Sequence, residues 1–234
     1  MIISNEHKFI YFFSIGNTAT RSMQAILSEY HDDPDITIDF SGAADVEEQV
    51  KKHGNLDNYK IPTQKYFLDR EVTPRYLKKL FTFLGREEQW KEYKKYATVR
   101  HPHALIESLA RSNHLGYLIN WYEIGECIRI CEHQFRGHGW DPVTIERGQY
   151  NAYCDIGGKQ MIDKFLKIEL LADALKEEFP FVETEKLQHF RHDYKIEKVT
   201  QWKQSERDLI TSVWHNDFEH LGYLRPESKQ ENKE

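Results

Sequence analysis

Two segments of this 234-residue chain each read as a buried strand that ends in a polar turn and runs into a helix. One is Phe9-Ile-Tyr-Phe-Phe-Ser-Ile-Gly-Asn-Thr-Ala-Thr-Arg-Ser22, and the other is Tyr96-Ala-Thr-Val-Arg-His-Pro-His-Ala-Leu-Ile-Glu-Ser108. A compact apolar run such as Phe9 to Ile15 is the mark of a strand covered on both faces. The turn that follows presents backbone N–H groups and a helix N-terminus, which together bind anions. Two such turns in one chain suggest a ligand with phosphate at both ends.

The rest of the chain continues the alternation. Ile36 to Phe40 is a strand and Ala43 to His53 a helix; Lys65 to Leu68 is a short strand. Thr73 as N-cap and Pro74 at the first helical position open a helix through Leu77, Leu80 and Phe81 towards Leu84. Lys94 to Val99 is the next strand, followed by a helix from His103 to about His114. Leu118 to Phe135 reads as helical and Arg136 to Pro142 as a turn-rich break. Met161 to Ile168 is a strand, Leu170 to Phe179 a helix stopped by Pro180, and Ser205 to Glu219 a final amphipathic helix with Ser205 as N-cap. Strands alternating with helices predict an α/β protein with a mostly parallel sheet covered on both faces. With no linker long enough to divide the chain, residues 1–225 read as one domain and 226–234 as a polar, disordered tail.

The net charge of −6 argues against a nucleic-acid binder that relies on a broad basic surface. Cys127, Cys131 and Cys154 cannot build a disulfide framework, so a reducing, cytoplasmic setting is expected. Cys127, Cys131 and His133 lack a matching ligand cluster elsewhere, which favours buried thiols over a metal site. No stretch approaches the length of a membrane span. Oligomeric state is left open by the sequence.

The general nucleotide loop Gly-x4-Gly-Lys-Ser/Thr is absent after Gly16, which counts against a kinase that uses ATP and magnesium. Ile15-Gly-Asn-Thr-Ala-Thr-Arg-Ser22 instead resembles the 5′-phosphosulfate loop of sulfotransferases, Ile/Val-Pro-Lys-Thr-Gly-Gly/Ser-Thr-Ser. Ile15, Thr18 and Ser22 match directly, and Ala19 and Thr20 replace small residues with small ones. Gly16 stands where the family has Pro, Arg21 where it has Thr, and Asn17 where it has Lys. In the family that Lys stabilises charge on the leaving phosphate, and losing such a donor costs about 10²–10³ in rate. Asn17 keeps a neutral donor, and Arg21 is the candidate to restore the charge.

Val99-Arg-His-Pro-His-Ala-Leu-Ile-Glu-Ser108 is similar to the family's 3′-phosphate signature, Val-Arg-Asn-Pro-x-x-Arg-x-x-Ser. Arg100 leaves the end of a strand, Pro102 fixes the turn, and Ser108 follows on the helix. Arg offers phosphate a bidentate, charge-assisted contact. His101 replaces the family's Asn, and Ile106 falls near where a second Arg often stands. Met161 to Leu170 and Trp214-His-Asn-Asp-Phe-Glu-His-Leu-Gly-Tyr223 also resemble family segments, in the same order along the chain. The likeness spans about residues 8–224 and is nearest to the carbohydrate-type branch.

The resemblance implies a three-layer α/β/α fold of the P-loop NTPase type and the co-substrate 3′-phosphoadenosine 5′-phosphosulfate. Its donor site would comprise Gly16, Asn17, Thr18, Ala19, Thr20, Arg21, Ser22, Arg100 and Ser108, and the acceptor would be a carbohydrate or small metabolite, with no metal. The chemistry needs an acceptor base, charge stabilisation and positioning. Glu71, two residues before Thr73-Pro74 where the family often has a catalytic His, is the first candidate base, set nearly even with a solvated helix-start acid. Asp69 is the alternative, and Asn17 and Arg21 complete the catalytic set. His101 and His103 could face the ligand, although such residues are more often only partly exposed. Glu169 suits a structural ion pair, and His138 sits in a loop of the kind that lines acceptor sites. The loops 120–151 and 39–62 do not decode to an acceptor.

Overall fold

The computed structural model describes residues 1–13, 19–39, 66–69, 72–111, 148–184 and 203–225. Among these the strands are Ile2–Ser4 (β1), Phe9–Phe12 (β2), Ile36–Asp39 (β3), Tyr66–Asp69 (β4), Lys94–Val99 (β5) and Lys164–Lys167 (β6). The helices are Thr20–Leu27 (α1), Pro74–Phe83 (α2), Glu87–Glu92 (α3), Pro102–Arg111 (α4), Gln149–Ala152 (α5), Leu171–Glu178 (α6), Gln204–Val213 (α7) and His215–His220 (α8).

The protein is mixed α/β, and its four-stranded sheet runs β1-β2-β5-β6, antiparallel only at β1–β2. β2 and β5 are parallel neighbours in the register Phe12↔Ala97. The expected single sheet is joined by a second one, because β3 and β4 pair in parallel with each other instead, Ile36 opposite Tyr66. β1 was not foreseen; three buried residues, Ile2, Ile3 and Ser4, are too few to show a period. By contacts the chain forms two compact units that interleave in sequence: Met1–Thr98 with Tyr153–His192, and Val99–Ala152 with Asp193–Glu234.

In the first unit both sheet faces are lined with aromatics. Phe179, past the end of α6, packs against Phe9, Tyr11 and Tyr96, with ring centroids 5.2, 6.2 and 4.6 Å away. On the opposite face Phe12 meets Trp90 of α3 at 6.4 Å, and Phe81 of α2 meets the same indole edge-on. Alternation along β2 puts Phe9 and Tyr11 on one side and Phe12 on the other. Fixed polar contacts frame this core. The buried Asp33 carboxylate accepts from Ile36 N and pairs with Arg86. His31 Nδ1 accepts from Ile3 N at 3.1 Å while Nε2 meets Ile36 O at 2.9 Å.

Several expected boundaries hold. Thr73 Oγ1 accepts from Tyr76 N and Pro74 opens α2, as its sequence predicts. β5 covers Lys94–Val99 as expected. β6 is shorter than Met161–Ile168, because Met161 N is committed to Tyr153 O across a local turn. The long helix expected over Ser205–Glu219 is two helices. Its cap lies two residues earlier, at Lys203 rather than Ser205, and the Glu206 carboxylate accepts from Lys203 N at 2.6 Å. It breaks at buried Trp214, whose φ of −107° and ψ of 35° leave the helical region. The stretches Ala43 to His53, Leu118 to Phe135, Arg136 to Pro142 and the tail 226–234 lie outside the described residues. Among the described residues no helix is long and apolar enough to cross a membrane.

Candidate functional site

The first turn leaves β2 through buried Phe13 and re-enters the described residues at Ala19. Ala19 is left-handed, with φ of 59° and ψ of 22°, a conformation that costs a non-glycine residue about 1 kcal/mol or more. It is the N-cap of α1; its carbonyl accepts from Met23 N at 3.0 Å, its own methyl side chain offers no cap, and the first turn contains no acid. Thr20, Arg21 and Ser22 form that first turn, and Ser22 is buried. A helix start without a carboxylate or hydroxyl cap has backbone donors and a positive dipole end suited to an anion. Gly16, Asn17 and Thr18 lie outside the described residues.

The second turn is set by β5, whose residues Tyr96 to Val99 are buried. Arg100 follows as a half-buried residue, and His101 O accepts from Leu105 N at 2.8 Å to start α4 with Pro102 at its first position. Ser108 lies on α4 and is half-buried. Arg100 therefore follows the strand end and Ser108 lies on the helix, as expected, while Pro102, expected in the turn before a helix from His103, is the first residue of α4.

What holds this turn comes from distant sequence. The side-chain amide of Gln149 accepts from Arg100 N at 2.9 Å and donates to Arg100 O at 2.7 Å. Gln149 is itself held by Asp217, whose carboxylate accepts from Gln149 N at 2.9 Å, Tyr150 N at 2.8 Å and Gln149 Nε2 at 3.1 Å. Asp217 thus caps the start of α5 from α8, doing across the fold what an N-cap does locally. Burial pushes the Asp217 carboxyl up to about 6, against the opposing pull of its hydrogen bonds from Tyr150 and Gln149.

The residues from Trp214 to Tyr223 wrap the same place. His101 packs edge-on against Phe218 at 5.6 Å and Tyr223 at 5.2 Å, and His220 stacks on Tyr150 at 4.3 Å. His103 Nε2 meets Arg207 O at 3.3 Å and Thr211 Oγ1 at 3.2 Å. Burial first, then neighbouring His101, holds the His103 ring below the usual imidazole range. Such a ring is neutral near pH 7 and contributes a dipole rather than a charge. This segment therefore packs on the Arg100 turn, through Asp217 by way of Gln149 and through Phe218 and Tyr223 against His101.

The chain matches no family model, no curated protein and no solved structure.

Of the expected base residues, Asp69 ends β4 opposite Asp39, both at the C-terminal ends of parallel strands. Glu71 lies outside the described residues, as do Cys127, Cys131, His133 and His138. Glu169 is exposed on a short turn between β6 and α6, away from the strand ladder. Among the described residues no three His, Cys, Asp or Glu side chains gather into a group that could hold a metal. Sequence reasoning missed Gln149, which follows Gly148 without any local pattern. It noticed Asp217 only as part of a resemblance; the usable signal was an Asp flanked by Trp214 and Phe218, a carboxylate inside an apolar stretch.

Proposed function

We propose that this protein is a sulfotransferase that moves a sulfuryl group from 3′-phosphoadenosine 5′-phosphosulfate to a hydroxyl of a carbohydrate or small metabolite. The observation that carries the reading is the second turn: an Arg at the end of a buried strand, a Pro at the helix start and a Ser on that helix. Arg100 and Ser108 are assigned to the 3′-phosphate, and Gly16 to Ser22 to the 5′-phosphosulfate. The left-handed Ala19 and the acid-free first turn of α1 support the second assignment. β2 and β5, the strands that precede the two turns in sequence, are parallel neighbours, and open α/β sheets take ligands at the C-terminal ends of such strands. The fold that goes with this reading is a three-layer α/β/α arrangement of the P-loop NTPase type, and its setting is the cytoplasm.

In the reaction the acceptor oxygen forms a bond to sulfur as the bond from sulfur to the phosphate oxygen breaks, releasing 3′,5′-adenosine bisphosphate. The acceptor proton passes to Glu71, with Asp69 as the alternative base, while Asn17 and Arg21 meet the charge that develops on the leaving phosphate. Calorimetric titration with 3′,5′-adenosine bisphosphate, against 5′-AMP and ATP, tests the donor site. Micromolar binding that needs the 3′-phosphate is expected; equal affinity for 5′-AMP removes the reading.

Asn17 in place of Lys favours a second reading, a nucleotide-binding protein of the same kind with impaired turnover. Asn17→Lys separates the two. A rise in transfer rate of about 10²-fold or more indicates impairment, and an unchanged, substantial rate shows that Arg21 or another cation supplies the charge.

A further inference from the structure

The bracket on Arg100 belongs to neither its own strand nor its own helix. Gln149 is 49 residues further along the chain, yet its amide exchanges two hydrogen bonds with the backbone of Arg100, as a neighbouring strand residue would. Where β5 ends, the side chain of Gln149 meets both the N–H and the C=O of Arg100, as the accounting of buried backbone groups requires. The orientation of the amide is fully determined. One hydrogen of Nε2 goes to Arg100 O, the other to Asp217 Oδ2, and Oε1 accepts from Arg100 N. A flipped amide would set donor against donor at Arg100 N, and oxygen against oxygen at Arg100 O and at Asp217. Gln149 is 1% exposed and Asp217 0%, so water does not compete for these bonds.

We propose that Gln149, anchored by Asp217, is a positioning residue for anion binding: it sets the backbone of the Arg100 turn and so the direction from which Arg100 meets a phosphate. The inference rests on the assignment of Arg100 to the 3′-phosphate. Bidentate recognition by Arg depends on angle as well as distance, and a group displaced by about 1 Å loses up to about 10²-fold in effect. A turn held only by its own strand and helix has the residue between them as its least restrained point. Here that residue is Arg100, and the bracket closes on it.

The test is calorimetric titration of the full chain with 3′,5′-adenosine bisphosphate and with 5′-AMP, comparing wild type, Gln149→Met and Gln149→Glu. It is paired with ligand-free amide exchange at Arg100, followed by NMR. In Gln149→Met the preference for the bisphosphate is expected to fall about tenfold or more while 5′-AMP binds as in wild type. The Arg100 amide is expected to be protected in wild type and to exchange at least about tenfold faster in Gln149→Met. Gln149→Glu keeps an acceptor for Arg100 N but sets a buried oxygen against Arg100 O and against Asp217, and is expected to lose at least as much of the preference as Gln149→Met.

Equal losses for both nucleotides mean a structural role only and overturn the proposal, as does an unchanged preference. An unprotected Arg100 amide in wild type overturns it even where Gln149→Met does not fold. Wild type that binds both nucleotides alike takes down the 3′-phosphate assignment, and the positioning role with it, while amide protection still reports the bracket. Clear wild-type preference with no change in Gln149→Met sinks the positioning role alone.

Discussion

Gly148 and Asp217 approach so closely that a Cβ on Gly148 would lie 2.6 Å from Asp217 Oδ1 and 2.8 Å from its carboxyl carbon. Gly148 also has a φ of +94°, which side-chain-bearing residues avoid. Gly148→Ala is expected to destabilise the fold by about 2–4 kcal/mol, from strain and overpacking together. Because the clash falls on the carboxylate that holds Gln149, the variant should also loosen the Arg100 turn. Denaturant unfolding of the purified variant measures the first effect; a cost below about 0.5 kcal/mol contradicts the packing described.

Asp217 makes stability fall as pH rises across a defined window. Its carboxyl titrates at about 6 in the fold, because of burial, against an ordinary value of 3.8. Between those values the folded chain holds a proton that the unfolded chain has lost. The stabilisation present below about pH 4 is therefore lost as pH climbs through about 6, with a ceiling on the order of 3 kcal/mol. Asp217→Asn removes this slope. Unfolding free energies for wild type and variant, compared from pH 4 to 7.5, give the difference curve, and a flat difference refutes the assignment.

Glu178 acts with the opposite sign. Burial raises its carboxyl, but hydrogen bonds from Lys94, Lys164 and Tyr96 outweigh that and hold it down to about 2, against an ordinary 4.5. Its stabilisation is present above the ordinary value and disappears as pH falls through the interval towards 2. Glu178→Gln is expected to cost about 1–2 kcal/mol at neutral pH and to flatten the acid limb of the stability curve. An acid limb identical to that of wild type counts against the three-donor arrangement.

Gln24 of α1 is 2% exposed, and among the described residues neither its amide oxygen nor its nitrogen has a hydrogen-bond partner. A buried amide left in this state costs about 1–3 kcal/mol. Gln24→Leu, similar in size, should therefore raise the unfolding free energy by about 1 kcal/mol or more. Thermal denaturation reads this directly, and a lower midpoint means that the amide is satisfied in solution.

How much was legible in the sequence follows from where each interaction reaches. α2 could be read off because its cap, Thr73, and its first residue, Pro74, are neighbours and act locally. β5 could be read because a strand buried from Tyr96 to Val99 shows as an apolar run. Arg100 at the strand end and Ser108 on the helix could be read for the same reason. Trp214 shows the limit. The apolar spacing of Ser205 to Glu219 continues smoothly across it, and only the backbone turn at Trp214 reveals two helices. Gln149 was illegible because its role exists only through partners at Arg100 and Asp217, and a side-chain amide carries no spacing signal of its own.

The interleaving of the two units has a consequence for synthesis. A nascent chain that has emerged as far as Ala152 has completed β1, β2 and β5 but has yet to make β6. It also lacks Phe179, the ring that meets Phe9, Tyr11 and Tyr96. Until then one apolar side of the growing sheet has no cover from α6, and contacts between the earliest and much later residues are the last to be paid for in loop entropy. The first unit therefore closes only after the ribosome has passed through Val99–Ala152 of the second, which makes the aromatic lock at Phe179 a late event in its folding.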